Sequence, residues 1–204
     1  MEPGELVSVL QLDESELKQR LADLILDVSV LRGDFTLKSG RPSTWFIDGK
    51  QVVCDPSGVL LNAVAMVRIM DEFFGSSFPD TIGGMTMGAD PVAFSVAAIA
   101  SAIGRPLRSF SIRKEPKDHG PGGRVAGSIR PGDKVVIAED VTSRGTSILA
   151  AANVAIEAGG EVVLATAMVD RGGTVADLMA NVGIPFRAIF TAPELGLPFE
   201  GGLD

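Results

Sequence analysis

Residues Val135 to Ser147 read VVIAEDVTSRGTS, and their types and order could do chemistry. The apolar run Val135 to Ala138 predicts a buried strand, because strands of a parallel sheet are covered on both faces and read as continuous hydrophobic stretches. Two carboxylates, Glu139 and Asp140, follow at its end. Val141 leads into a loop of Thr142, Ser143, Arg144 and Gly145, and Thr146 and Ser147 open a helix. Amide groups at a helix start, aided by the helix dipole, attract an anion such as phosphate. Gly145 lets the backbone approach that anion closely, and the hydroxyls add donors. The carboxylates would repel a phosphate. They suit a sugar diol, which donates hydrogen bonds, or a divalent cation. Taken residue by residue, an Asp140 that caps a turn and a loop that only enters a helix serve the same pattern equally well.

A ligand carrying a 5-phosphate, a free 2,3-diol and bound Mg2+ uses every group in this stretch, and phosphoribosyl pyrophosphate is such a ligand. The better-known nucleotide loops fit poorly, since the chain has neither G-x-x-x-x-G-K-[ST] nor G-x-G-x-x-G after a strand. Two further stretches carry chemistry. Arg113 to Gly120, RKEPKDHG, concentrates Arg113, Lys114, Lys117 and His119 in an otherwise acidic protein. By itself it reads as a solvated charged loop. Flanked by Gly120, Gly122 and Gly123, it also suits a lid that closes over pyrophosphate and excludes water. His119 is the only histidine, so a histidine metal cluster is excluded. Phe35 to Asp48, FTLKSGRPSTWFID, reads as strand, turn and strand, with Trp45 and Phe46 equally suited to core packing.

These residues need a scaffold. Leu17, Leu21, Leu24, Ile25 and Val28 recur at helical spacing and predict a helix over 14–31, capped by Asp13 or Ser15 and ended by Gly33. Short strands at 35–37 and 44–47 flank a turn, and Val52 to Cys54 could extend that antiparallel element. A helix follows over 56–74. Strands are then expected at 81–84, 107–112, 134–138, 162–169 and 186–190, and helices at 91–103, 146–158 and 175–180. Alternating strands and helices predict an α/β fold with a mainly parallel central sheet flanked by helices. In such sheets ligands bind at the carboxyl ends of the strands. Residues 113–130, rich in Gly, Pro and charge, form the one long interruption, expected to be a mobile loop. The run Pro193 to Asp204 reads as a disordered end.

The totals narrow the function classes. The chain has 204 residues, of which 46% are hydrophobic, enough for one domain with a substantial core. A net charge of −8 argues against nucleic acid as the main partner. The single Cys54 cannot form an internal disulfide, which with the polar, acidic start points to a cytoplasmic protein without a signal peptide. The longest apolar stretch, 92–103, is too short to span a membrane.

The stretch VVIAEDVTSRGTS resembles the phosphoribosyl pyrophosphate signature of the type I phosphoribosyltransferases. Within that superfamily, FTLKSG and RKEPKDHG resemble the orotate phosphoribosyltransferases, as do the glycine-rich loop Gly83 to Pro91 and Val169-Asp170-Arg171. The motifs run in the family's order from about residue 35 to 171. The resemblance implies a type I phosphoribosyltransferase fold, with a small N-terminal hood over about 1–54 and an α/β core over about 55–192. It implies a Mg2+-dependent homodimer with shared active sites. The implied reaction joins orotate to phosphoribosyl pyrophosphate, giving orotidine 5'-monophosphate and pyrophosphate in pyrimidine biosynthesis.

Roles carry over residue by residue. Lys38 would contact substrate, Phe46 would lie against the orotate ring, and Arg171 would pair with the orotate carboxylate, with Ser143 nearby. Arg113, Lys114, Lys117 and His119 would hold pyrophosphate, with Lys117 the prime catalytic candidate. Glu139 and Asp140 would hold the ribose diol, and Val141 to Ser147 the 5-phosphate. Mg2+ would be held mainly through the substrate's pyrophosphate. The sequence departs from the family where Ser143 replaces a common threonine, Arg144 replaces a small residue, Met87 stands where some relatives have lysine, and Ile47 leaves the aromatic pair incomplete. A phosphoribosyltransferase for another base and a non-catalytic regulator on the same fold are the rival readings. The orotate-type stretches count against the first, and the net charge of −8, the intact Lys117 and the paired acids count against the second.

Overall fold

The computed structural model describes residues 5–36, 40, 42–115 and 123–200. Its N-terminal part is a helical and hairpin layer. Helix α1 (Glu5–Gln11) precedes α2 (Glu14–Val28), whose Leu17, Leu21 and Ile25 are fully buried. Asp13 caps α2 by accepting a hydrogen bond from the Glu16 amide at 2.8 Å. The helix ends at Val28 with Ser29 as its cap, not at Leu31 as periodicity suggests. Ser29 Oγ donates to the Ile25 carbonyl at 2.6 Å, and Val30 and Leu31 are drawn into strand pairing opposite Ile47 and Phe46. Strands β1 (Val30–Thr36) and β2 (Pro42–Ile47) thus form a longer hairpin than expected, and Gly33 lies inside β1 rather than at a helix end.

Val52 and Val53 do not extend this hairpin. They belong to a short helix, α3 (Lys50–Val53), and both are buried. The turn is set by Asp48, whose Oδ1 accepts from the Lys50 amide at 3.3 Å and whose Oδ2 accepts from Gln51 Nε2 at 3.1 Å. Local side-chain bonding to the backbone competes with strand pairing here. Asp55 then caps α4 (Pro56–Phe74) by accepting from the Ser57 and Gly58 amides, both at 2.9 Å, with Pro56 in the first turn.

The remaining elements are β3 (Thr81–Met85), α5 (Ala89–Ala102), β4 (Arg108–Ile112), β5 (Val125–Gly127), β6 (Lys134–Thr142), α6 (Thr146–Glu157), β7 (Glu161–Asp170), α7 (Val175–Ala180) and β8 (Phe186–Thr191). Six strands make one sheet in the order β5-β4-β3-β6-β7-β8. All its pairings are parallel except the antiparallel edge strand β5. The sheet is buried on both faces. Val136 and Ala138 of β6 join the cluster containing α2, α4 and α5, whereas Val135 and Ile137 join the cluster containing α6 and α7. That alternation along a wholly apolar strand is the period of two expected of a sheet between helical layers.

Two expectations need correction. Residues 113–130 contain β5, which pairs Val125 with Ile112 and Gly127 with Phe110. It covers the edge of β4, a pairing that no apolar periodicity announces. Residues 193–200 are packed. A 3-10 turn over Ala192–Leu195 is closed by a capping box between Thr191 and Glu194, and Leu195 and Leu197 are buried.

Candidate active site

The chain leaves β3 for β4 on one side and returns through β6 on the other. Connections that diverge from neighbouring parallel strands open a crevice at their carboxyl ends. Pairing between β3 and β6 stops at Gly83 opposite Ile137. Pairing between β6 and β7 continues to Thr142 opposite Asp170. The last five residues of β6 therefore have a partner on one side only. Glu139 and Asp140 lie in this half-paired part, inside a strand four residues longer than its apolar run suggests, and both are buried.

Glycines bring the crevice walls against the two acids. A Cβ on Gly88 would collide with Glu139 Oε1 and stand 2.5 Å from Asp140 Oδ1. A Cβ on Gly49 would stand 2.7 Å from Val141 Cγ2 and 3.0 Å from Asp140 Oδ2. The glycine-rich loop after β3 and the turn before α3 thus close on the same carboxylates, and a side chain at either position would fill the space beside them.

The acids are under-compensated. Asp140 Oδ1 accepts from the Val141 amide at 2.8 Å, and Asp140 Oδ2 lies 3.6 Å from Lys50 Nζ. Burial, with the neighbouring Asp140 charge adding to it, pushes the Glu139 carboxyl up from its ordinary 4.5 to about 8. Lys50 also contacts Asp48 Oδ1 at 3.4 Å. Burial works against the charge on Lys50, yet Asp140 and Asp48 outweigh it and hold the ammonium above its ordinary range. Asp48 is lowered, because Gln51 and Lys50 together outweigh the burial that opposes them. At neutral pH, then, Glu139 is largely protonated.

Beside this pair, residues 143–145 turn out of β6 into α6. Gly145 stands at the N-cap with φ of 72°, a left-handed backbone that favours glycine, and no side chain caps the helix. Its first amides remain available to an acceptor. Ser143 is half-buried, and Arg144, Thr146 and Ser147 are exposed. On the far side of β3, Arg113 leaves β4 at the same sheet end, its backbone bonded to Arg124 in both directions at 2.8 and 3.0 Å, with Lys114 following.

Arg171 follows β7 at that edge, and its amide donates to the Thr142 carbonyl at 2.8 Å. Its buried guanidinium carbon lies 4.6 Å from the Trp45 ring centroid and 5.8 Å from that of Phe46. Phe46 remains partly exposed. The structure thus brings together Phe46, Glu139, Asp140, Val141 to Ser147 and Arg171 around one edge, with Arg113 and Lys114 at the neighbouring strand end. Lys38, Lys117 and His119 lie outside the described residues. Three participants escaped the sequence reading: Lys50, Ser43 and Glu200. Only Lys50 left a trace, as a cation two residues after Asp48 at a strand end.

The arrangement offers a buried acid pair for a polyol or cation, uncapped amides for an anion, and a guanidinium stacked on an aromatic ring. No family model matches the chain. Over 181 residues, covering 87% of this chain and 97% of the relative, it is 37% identical to the orotate phosphoribosyltransferase of Aquifex aeolicus. The chain belongs to the orotate phosphoribosyltransferase family. It is 38% identical over 188 residues to the orotate phosphoribosyltransferase of a Bradyrhizobium species, covering 90% of this chain and 99% of that one. Among solved structures, a phosphoribosyltransferase from Corynebacterium diphtheriae superimposes with a TM-score of 0.75 at 32% identity, covering 89% of this chain and 99% of that chain. The Mycobacterium tuberculosis orotate phosphoribosyltransferase in complex with phosphoribosyl pyrophosphate gives 0.70 at 31% identity, with the same coverage. The chain is therefore an enzyme of the glycosyltransferase class, with the α/β fold of the type I phosphoribosyltransferases.

Proposed function

We propose that this orotate phosphoribosyltransferase transfers the phosphoribosyl group of phosphoribosyl pyrophosphate to orotate, releasing orotidine 5'-monophosphate and pyrophosphate. The observation that carries the reading is the buried Glu139–Asp140 pair in the switch-point crevice, directly before the uncapped start of α6. The 5-phosphate would rest on the amides of 143–147 and the ribose diol on the acids. Diol hydroxyls donate to carboxylates, which favours their charged form and draws the proton off Glu139.

As the bond from C1 to the pyrophosphate oxygen breaks, positive charge grows on the ribose. Two carboxylates fixed beside it in a dry crevice stabilise that charge without reorganising. The bond that forms joins C1 to a ring nitrogen of orotate, whose own acidity removes the need for a strong protein base. Phe46 would lie along the ring and Arg171 would face its carboxylate. Arg113 and Lys114, with Lys38, Lys117 and His119 from the sequence, would meet the pyrophosphate. When bound, Mg2+ would neutralise charge on the leaving group. Two adjacent carboxylates, one already near a lysine, fit an ion that keeps water and substrate phosphate among its ligands. A cytoplasmic homodimer with shared sites completes the proposal. Among the described residues no helix is long and apolar enough to cross a membrane.

The experiment is to follow the orotate absorbance with phosphoribosyl pyrophosphate and Mg2+, with uracil and adenine in parallel and a chelator control. Chelator-sensitive loss with orotate alone is expected. Turnover of adenine or uracil instead would replace the base assignment.

A further inference from the structure

The carboxylate subsite at Arg171 is already filled by the chain itself. Arg171 Nη2 lies 2.5 Å from Glu200 Oε2 and 3.0 Å from the Trp45 carbonyl. Ser43 Oγ is in hydrogen-bond contact with the same Glu200 oxygen. The Glu200 amide donates to the Arg171 carbonyl at 2.9 Å, so backbone and side chain hold the segment at one residue. The Phe199 ring covers the turn after β7, where a Cβ on Gly173 would touch it at 3.1 Å. The side chain of Arg171 is 7% exposed and that of Glu200 is 16% exposed. A ligand carboxylate cannot reach this guanidinium while Glu200 is seated. Its Nη2 and one aromatic face are taken, and its Nε is buried without a hydrogen-bond partner among the described residues.

We propose that Glu200 is an internal competitor for the substrate carboxylate, one that orotate must displace from Arg171. The inference rests on the reading of Arg171 as the orotate contact. Displacement exchanges one carboxylate for another on the same donor, so a base without a carboxylate has nothing to offer in return. The seated segment therefore lowers apparent orotate affinity by the fraction of time the subsite is open. A subsite open about one tenth of the time binds about tenfold more weakly than its intrinsic affinity.

The test compares the full chain with Glu200→Gln, Glu200→Ala and Arg171→Met. It measures KM for orotate and for phosphoribosyl pyrophosphate, and orotate and uracil binding by calorimetry. Glu200→Ala is expected to lower the orotate KM and Kd about tenfold, with Glu200→Gln between it and wild type. The KM for phosphoribosyl pyrophosphate and the weak uracil binding should not change. An orotate KM and Kd that stay constant or rise in both Glu200 variants, while Arg171→Met weakens orotate binding, overturn the competitor and leave the carboxylate subsite standing. Orotate binding unaffected by Arg171→Met overturns the subsite and the competitor together.

Discussion

Two buried charge clusters sit at the ends of the neighbouring strands β6 and β7, and they are balanced differently. Arg171 has a carboxylate, a carbonyl and an aromatic face within the same chain. Glu139 and Asp140 share one lysine, half-exposed and 3.6 Å from the nearer acid. The first cluster has its charge paired at rest, although Arg171 Nε has no hydrogen-bond partner among the described residues, and on the proposed reading it must be opened to bind. The second is strained at rest, which is why Glu139 holds its proton up to about pH 8, and it is relieved by a ligand that brings donors or positive charge. On the proposed function, the acid pair receives the sugar, and the Arg171 end stays closed until a competing carboxylate arrives.

The contrast can be broken most sharply at Asp140. Asp140→Asn keeps size and still accepts from the Val141 amide, so circular dichroism and melting should hardly change. Turnover should fall on the order of 10²–10³, the scale of losing one preorganised electrostatic partner. Activity near wild type would remove the acids from the chemistry. Next is Gly88→Ala, which forces a methyl between both carboxylates. It should cost about 1–3 kcal/mol in denaturant titration and reduce turnover, since the acids must move.

The protonation of Glu139 sharpens the same comparison. Its folded pKa of about 8 exceeds its ordinary 4.5, so the native state binds the extra proton. That contribution is complete below about pH 4.5 and is lost as pH rises to about 8. Unfolding free energy should decline across this window, and Glu139→Gln should flatten the decline. An unchanged slope in the variant would show the acids to be as well compensated as Arg171. The smallest effect is expected at Lys50. Lys50→Ala should change stability by less than about 1 kcal/mol, because the side chain is half in water. Removing its charge should move the Glu139 titration, followed by NMR, to higher pH.

Much of the α/β core was legible because its signals are local. Pro56 to Phe74 has its cap, its proline and its helical period in one stretch, and α4 has those bounds. The apolar run from Val135 announced β6, and Gly145 and the hydroxyls announced the turn into α6. Where the reading slipped, tertiary pairing won. Val30 and Leu31 left the helix for β2, the pairing of β6 with β7 carried Glu139 and Asp140 into the strand, and Val125 to Gly127 found the edge of β4. Glu200 could not be foreseen in a Gly/Pro-rich tail, since its partner lies 29 residues away on another element.

The sequence by itself determined the kinds of group at the site and the order in which the strands and helices present them, because residue type and short-range period are written in the chain. Tertiary structure alone decided that β3 and β6 would be neighbours with diverging connections, that Gly49 and Gly88 would close on one pair of acids, and that Glu200 would occupy Arg171. The reason is that burial, and with it the proton on Glu139, depends on what the folded chain brings alongside a group, and no local pattern carries that information.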